Sequence, residues 1–312
     1  MQIFRVIILV FLMSAQAASA SDGKLIKIAA GSLLDGHYSL GLKLCRYISM
    51  SNGGIKCEVV PTAGSLENLW LLQRGKVDFA FSLSNLALEA SKGKGHFYTT
   101  EPFIDMYQLL RLHDEYFTVI VKDDDEILVF ADLDGRKISN GPPNSDSSVA
   151  YDALEAYYDF KKRPTDIELV HEKYAKAFCR GDIDAVMMMT GHPNELVNMI
   201  THKCESDFVT IDSDKIDLLV KNNPGFRRVT LESGNYPGIT KSEETVAVQA
   251  IFVASKETDE VVVENFLNYF NSKISRFKSS APMLYDLDDS HFTSGFVLPG
   301  FKKVIKDIES RD

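Results

Sequence analysis

The chain has 312 residues, 45% of them hydrophobic and 25% charged, and its 34 Lys and Arg against 44 Asp and Glu leave a formal net charge of −10. That balance excludes a binder that tracks nucleic-acid phosphates. The apolar content and length supply two domains with cores of their own.

The first twenty residues read as a signal peptide: Arg5 in a short head, an apolar run from Val6 to Met13, and Ala18-Ser19-Ala20 before Ser21. The apolar run is far shorter than the ~20 residues of a membrane span. The expectation is an exported, periplasmic chain. In that setting the four cysteines fall into two close pairs, Cys45 with Cys57 and Cys179 with Cys204. A disulfide within each pair is expected, and four buried thiols are the competing reading. Neither pair has the CxxC spacing of a redox or zinc site.

From Leu25 onward short apolar runs alternate with amphipathic stretches. Strands are expected at Leu25 to Ala29, Ile55 to Val60 and Val77 to Phe81, and helices at Leu40 to Met50 and Leu66 to Arg74. The alternation restarts with a strand at Lys137 to Ser139, helices at Val149 to Tyr158, Tyr174 to Cys179 and Glu195 to Ile200, and a strand at Ala185 to Met189. This is the pattern of βαβ units in two α/β domains. Arg74-Gly75-Lys76-Val77-Asp78-Phe79 echoes Arg180-Gly181-Asp182-Ile183-Asp184-Ala185, marking equivalent points in the two. Two β-rich segments, Tyr116 to Val121 and Thr245 to Ala254, flank the second domain as hinge strands. One long helix is expected from Glu260 to Phe277, with its apolar side chains in the core.

Ligands of open α/β sheets bind beyond the carboxyl ends of the strands, where helix N-termini present unpaired N–H groups. Four junctions carry the right chemistry: Gly31-Ser32 to Tyr38, Thr62 to Ser65, Ser82 to Asn85, and Gly141 to Ser147. Each serine alone reads equally well as a plain helix cap. Together the four point to a cleft that holds carboxylate groups. Searches for GxSxG, GxxxxGK[ST], HExxH and EF-hand spacings find nothing, and the seven histidines are scattered. His192-Pro193-Asn194-Glu195 reads as a helix start, and Asp123-Asp124-Asp125-Glu126 as a solvated turn. The expectation is a chain with no catalytic residues, no metal and no cofactor.

The stretches "TAGSLENLWLLQRGKVDFAF", "ADLDGRKISNGPPNSDSSVAYDALEAY", "AFCRGDIDAVMMMTGHPNELV" and "GNYPGITKSEETVAVQAIFVAS" resemble the TAXI-type solute receptors of TRAP transporters, from Ile28 to the region of Leu298-Pro299-Gly300. The resemblance implies a two-lobed, type II-like periplasmic-binding-protein fold, with hinge strands and a ligand cleft between lobes. Residues 21–117 and 250–312 would form one lobe, and 118–249 the other. It implies a monomer that captures a small organic acid or amino acid, glutamate-like, dicarboxylate or 2-oxoacid, and delivers it to a TRAP membrane permease. Carried over position by position, the ligand residues are Gly31, Ser32, Tyr38, Gly64, Ser65, Asn68, Ser84, Asn85, Pro143, Ser145, Asp146, Ser147, Gly191 and Tyr236. Two departures stand out. Asp146 replaces a small residue, and Leu33-Leu34-Asp35 replace smaller ones. Asp146 reads first as stabilising a helix N-terminus, and otherwise Asp146 or Asp35 meets a ligand ammonium or blocks an anion. A secreted interaction protein that keeps the fold, and an enzyme built on it, are the alternatives.

Overall fold

The computed structural model describes residues 25–123 and 126–284. The expected signal peptide, Asp124 and Asp125, and the Leu298-Pro299-Gly300 region lie outside the described residues.

The first half of the fold begins with β1 (Ile26–Ala30), α1 (Gly36–Ser51), β2 (Cys57–Pro61), α2 (Ser65–Gln73), β3 (Phe79–Leu83) and α3 (Ser84–Lys92). A long strand, β4 (Met106–Lys122), leads into the second: β5 (Lys137–Ser139), α4 (Asp146–Glu155), β6 (Thr165–Asp166), α5 (His171–Arg180), β7 (Ala185–Thr190) and α6 (Glu195–Lys203). Then follow β8 (Ser206–Phe208), α7 (Ser213–Asn222), β9 (Arg227–Leu231), a second long strand β10 (Glu243–Ser255), α8 (Glu260–Ser272) and α9 (Ile274–Ser279).

The strands form one sheet in the order β2-β1-β3-β10-β4-β7-β5-β6, with β8 beside β4 and β9 beside β10. On one side β1 runs parallel to β2 and β3, and on the other β5 runs parallel to β6 and β7. The long strands close each triplet antiparallel, β10 on β3 and β4 on β7, and pair with each other at the centre. The two triplets are therefore equivalent: β1 corresponds to β5, β2 to β6, β3 to β7 and β10 to β4.

The sequence echo has a physical basis in this equivalence. Asp78 donates its backbone N–H to the Lys27 carbonyl and accepts from the Lys27 N–H on a side-chain oxygen at 2.9 Å. Asp184 makes the same pair of bonds with Lys137, at 2.7 and 2.8 Å. Each aspartate fastens the start of the third strand to the start of the first. The preceding Gly75 and Gly181 have positive φ (63° and 77°), which ends each helix without the steric cost a side chain would carry.

One hydrophobic cluster lies under α1, α8 and α9, with Ile26, Leu44, Phe79, Phe81, Phe252, Phe266 and Phe277. Another is built on α5 and α6, with Tyr174, Phe178, Val186 and Ile200. A third runs through both halves, from Leu69 and Leu86 across Ile251 and Val119 to Ile138 and Leu154. The disulfides join Cys45 to Cys57 and Cys179 to Cys204, with Cα atoms 5.4 and 5.5 Å apart.

Two sequence expectations are corrected. The expected helix Glu260 to Phe277 is two helices that break at Lys273. The strand expected to begin at Tyr116 begins ten residues earlier, at Met106, and takes in Arg111, His113, Asp114 and Glu115.

A candidate solute site at the seam between the halves

Helix starts from both halves meet at one seam. After β1 the chain turns through Gly31 to Asp35, whose carboxylate accepts the His37 backbone N–H at 2.9 Å and caps α1. A Cβ on Gly31 would collide with that carboxylate, so only glycine allows the turn. After β5 the equivalent loop runs from Gly141, φ 98°, to Ser145, whose hydroxyl accepts the Ser148 N–H and caps α4. In both loops the glycine stands four residues before the cap.

Two hydrogen bonds cross the seam. Ser32 Oγ lies 2.9 Å from His171 Nδ1 at the start of α5. The Ser65 backbone N–H, at the start of α2, donates to Asp146 Oδ1 at 3.0 Å. A side chain of α4 therefore sits on the N-terminus of a helix from the other half, where the helix dipole favours a negative group. A Cβ on Gly64 would come within 3.2 Å of the Asp146 carboxyl, and its φ of 144° disfavours any side chain there. Burial pushes the Asp146 carboxyl up to about 6 against the hydrogen bond from Ser65.

Behind these loops β4 presents His113 and Glu115 on one face, since strand side chains alternate. His113 Nε2 lies 2.7 Å from Glu115 Oε1, and His37 Nε2 lies 3.4 Å from the same oxygen. All three are almost fully buried, at 2%, 7% and 4% exposure for His37, His113 and Glu115. Burial favours the neutral form of each partner, lifting the Glu115 carboxyl and lowering His113. The His37 ring stacks on Phe81 at 4.9 Å, and Gly191 is the residue that admits the His113 ring beneath it.

His192, beside Gly191, is held by its neighbours on both ring nitrogens. Thr118 Oγ1 donates to the Tyr116 carbonyl, so it accepts from His192 Nε2 at 2.8 Å, which puts the ring proton on Nε2. Nδ1 then accepts the Tyr236 O–H, whose oxygen takes the Asn194 N–H at 2.7 Å. Burial lowers His192 to about 3, in keeping with a neutral ring held by two hydrogen bonds. The next residue but one, Asn194, caps α6 through its side-chain oxygen, as the helix-start reading expected.

The expected ligand residues thus divide. Gly31, Ser32, Gly64, Ser65, Asp146 and Gly191 come together at the seam. Tyr236 and Asp35 line a cavity of about 580 Å³ between α1 and α6, with Leu33, Leu34, Pro193 and Asn194. Ser84 and Asn85 line a different cavity of about 250 Å³, with Gly225, Met106 and Ile251. Four residues have internal roles. Asn68 bonds to the Phe81 carbonyl and accepts from Thr62, Ser145 is a cap, Ser147 accepts the Met189 N–H, and Tyr38 packs against the first core cluster. Pro143 is exposed. Sequence reasoning missed His37, His113 and Glu115. The available signal was the alternation of His113 and Glu115, which becomes visible once the charged stretch ahead of Tyr116 is read as strand.

The groups at the seam include three carboxyl groups, Asp35, Glu115 and Asp146, against one cation, Lys43, which lines the 580 Å³ cavity beside Asp35. Such a site favours a positive group over a bare anion.

Residues 28–300 match the model of the NMT1-like family, and the chain belongs to that family. Its fold is similar to that of a protein from Bordetella bronchiseptica RB50, with a TM-score of 0.50 and 16% identity over 85% of this chain and 78% of that one. A likeness at TM-score 0.48 and 15% identity, over 92% and 83%, is found with the alkanesulfonate-binding protein SsuA from Xanthomonas axonopodis pv. citri bound to MOPS. Another, also at 0.48 and with 13% identity over 87% and 100%, is with the substrate binding protein of an amino acid ABC transporter. No helix of the described residues is long and apolar enough to cross a membrane.

Proposed function

We propose that this member of the NMT1-like family is an extracytoplasmic solute receptor. It closes two lobes, 21–117 with 250–312 and 118–249, over a small amine-bearing organic acid, such as an amino acid, and delivers it to a TRAP-type membrane transporter. The observation that carries the reading is the bond from the Ser65 N–H to the Asp146 carboxylate across the seam. It places an internal carboxylate on the helix start where a ligand carboxylate would otherwise sit. A plain dicarboxylate would have to displace that group, whereas a ligand ammonium pairs with it. Asp35, which also borders the 580 Å³ cavity, extends the same preference. Closure by rotation of two lobes about paired strands is an established way for a fold of this kind to respond to a ligand.

The test is a thermal-shift screen of the purified chain against amino acids, dicarboxylates and 2-oxoacids. A ligand at 100 times its dissociation constant adds about 2.7 kcal/mol to the native state, a shift of several degrees for a chain of this size. A shift for amino acids that vanishes in the Asp146→Ala variant is the expected result. A shift for dicarboxylates alone would reverse the ligand class. A folded chain that responds to none of them, yet retains a specific protein partner in a pull-down, would replace receptor with interaction protein.

A further inference from the structure

We propose that His37, His113 and Glu115 form a binding site for one divalent first-row transition metal ion, zinc being the test case. Their donor atoms come from two elements 76 residues apart in sequence, counted from His37 to His113, and all lie within 4.8 Å of one another. His37 Nε2, the nitrogen that faces Glu115, is buried without a hydrogen bond, although buried polar atoms are rarely left so.

The donor set selects the class of metal. Two imidazole nitrogens and one carboxylate oxygen suit zinc and its neighbours, whereas magnesium and calcium take oxygen ligands. Tetrahedral zinc with bonds near 2.1 Å places its ligand atoms about 3.4 Å apart. The His37 to Glu115 separation of 3.4 Å already meets that spacing, and the 2.7 Å between His113 and Glu115 needs to open by about 0.7 Å.

The surroundings favour one orientation of the His37 ring. His37 Nδ1 lies 3.9 Å from Asp35 Oδ1, so a proton on Nδ1 faces a carboxylate while the Nε2 lone pair faces Glu115. Closing that separation by about 1 Å would give His37 the acceptor that a ligating histidine usually has on its other nitrogen. Phe81 stacks on one face of the His37 ring, and the glycine at 191 lets the following loop close over His113. Three protein ligands leave one position open, as in zinc sites that take up a further group. If the receptor reading above also holds, a metal there would accept the acid group of a solute whose ammonium pairs with Asp146. The site itself does not depend on that reading.

The full chain, stripped with a chelator, would be titrated with Zn²⁺ by calorimetry and with Co²⁺ by visible absorption. One equivalent per chain and the intense visible bands of four-coordinate Co²⁺ are expected. Glu115→Gln and His113→Gln would weaken binding at least 100-fold. Asp35→Asn would weaken it about 10-fold to 100-fold while keeping its cap on α1. His202→Gln, on the exposed side of α6, would change nothing. Failure of the unmutated chain to bind a stoichiometric ion would overturn the proposal, as would unchanged binding in a Glu115→Gln chain whose near-ultraviolet circular dichroism matches the original. If the variants do not fold, the Co²⁺ spectrum of the unmutated chain still decides. A chain that binds an amino acid but no metal would remove this site and leave the receptor reading standing.

Discussion

The two halves of the molecule share a plan and differ in charge. In both, a glycine four residues before the cap lets the loop after the first strand turn back on itself, and an aspartate one residue before the third strand ties that strand to the first. What stands at the helix start differs. The first half follows its cap Asp35 with His37, while the second follows its cap Ser145 with Asp146 and fills the rest with hydroxyls. Backbone requirements have therefore held the loops alike, and the side chains that reach the seam have been free to diverge. The seam is asymmetric because the scaffold is not.

The largest expected difference from breaking this comparison concerns the disulfides. The bonds close stretches separated by 12 and 25 positions. Loop entropy assigns them about 2.9 and about 3.5 kcal/mol. Removing Cys179–Cys204 by double alanine substitution should lower the denaturant midpoint more than removing Cys45–Cys57. Equal losses would mean that packing at Cys45, which is buried, outweighs chain entropy.

Next comes Asp146. Its folded carboxyl is raised to about 6 from an ordinary 3.8, so its favourable contribution is complete below about pH 4 and is lost as the pH rises through 6. Asp146→Asn should accordingly stabilise the chain by on the order of 2 kcal/mol at pH 8, and by nothing at pH 4, in thermal melts across that range. A gain that does not vary with pH would assign the effect to packing.

Smaller still are the equivalent aspartates. Asp78→Ala should cost about 2 kcal/mol and Asp184→Ala about 1 kcal/mol in urea melts, because the bond of Asp78 to Lys27 is partly buried and that of Asp184 to Lys137 is exposed. The reverse order would show that the echo is not matched in energy. The caps come last. Asp35→Ala and Ser145→Ala should each lose about 1 kcal/mol, and a much larger loss for Asp35 alone would show that it holds more than a helix end.

Much of this plan was legible in the sequence. Alternating apolar runs, the Gly-x-apolar-Asp echo and the hydroxyl-rich junctions are local signals, and they led to β1, β3, β5, β7, the helices between them and the loops that meet at the seam. The buried trio was not legible, for two reasons. Arg111 to Glu115 is too charged to read as strand, and it is strand because β10 pairs with it along Val248 to Ile251. The approach of His37 to His113 depends on how α1 lies over the sheet, which no periodicity reports. The break at Lys273 was likewise hidden, since Phe270, Ile274 and Phe277 keep helical spacing across it.

The placement of β10 between β3 and β4 has a consequence for how the protein is made. Strands β4 to β8 lie in one stretch, from Met106 to Phe208, so the β5, β6, β7 triplet has its sheet partners once that stretch has emerged, and only β9 waits for β10. The first half waits for Glu243–Ser255 and α8, more than 150 residues after β3, before its fourth strand and its cover arrive. Closing so long a loop is slow. During synthesis and refolding the earlier segment should therefore stay open to proteases and chaperones after the later one is protected, an order that pulse-labelled hydrogen exchange would read directly.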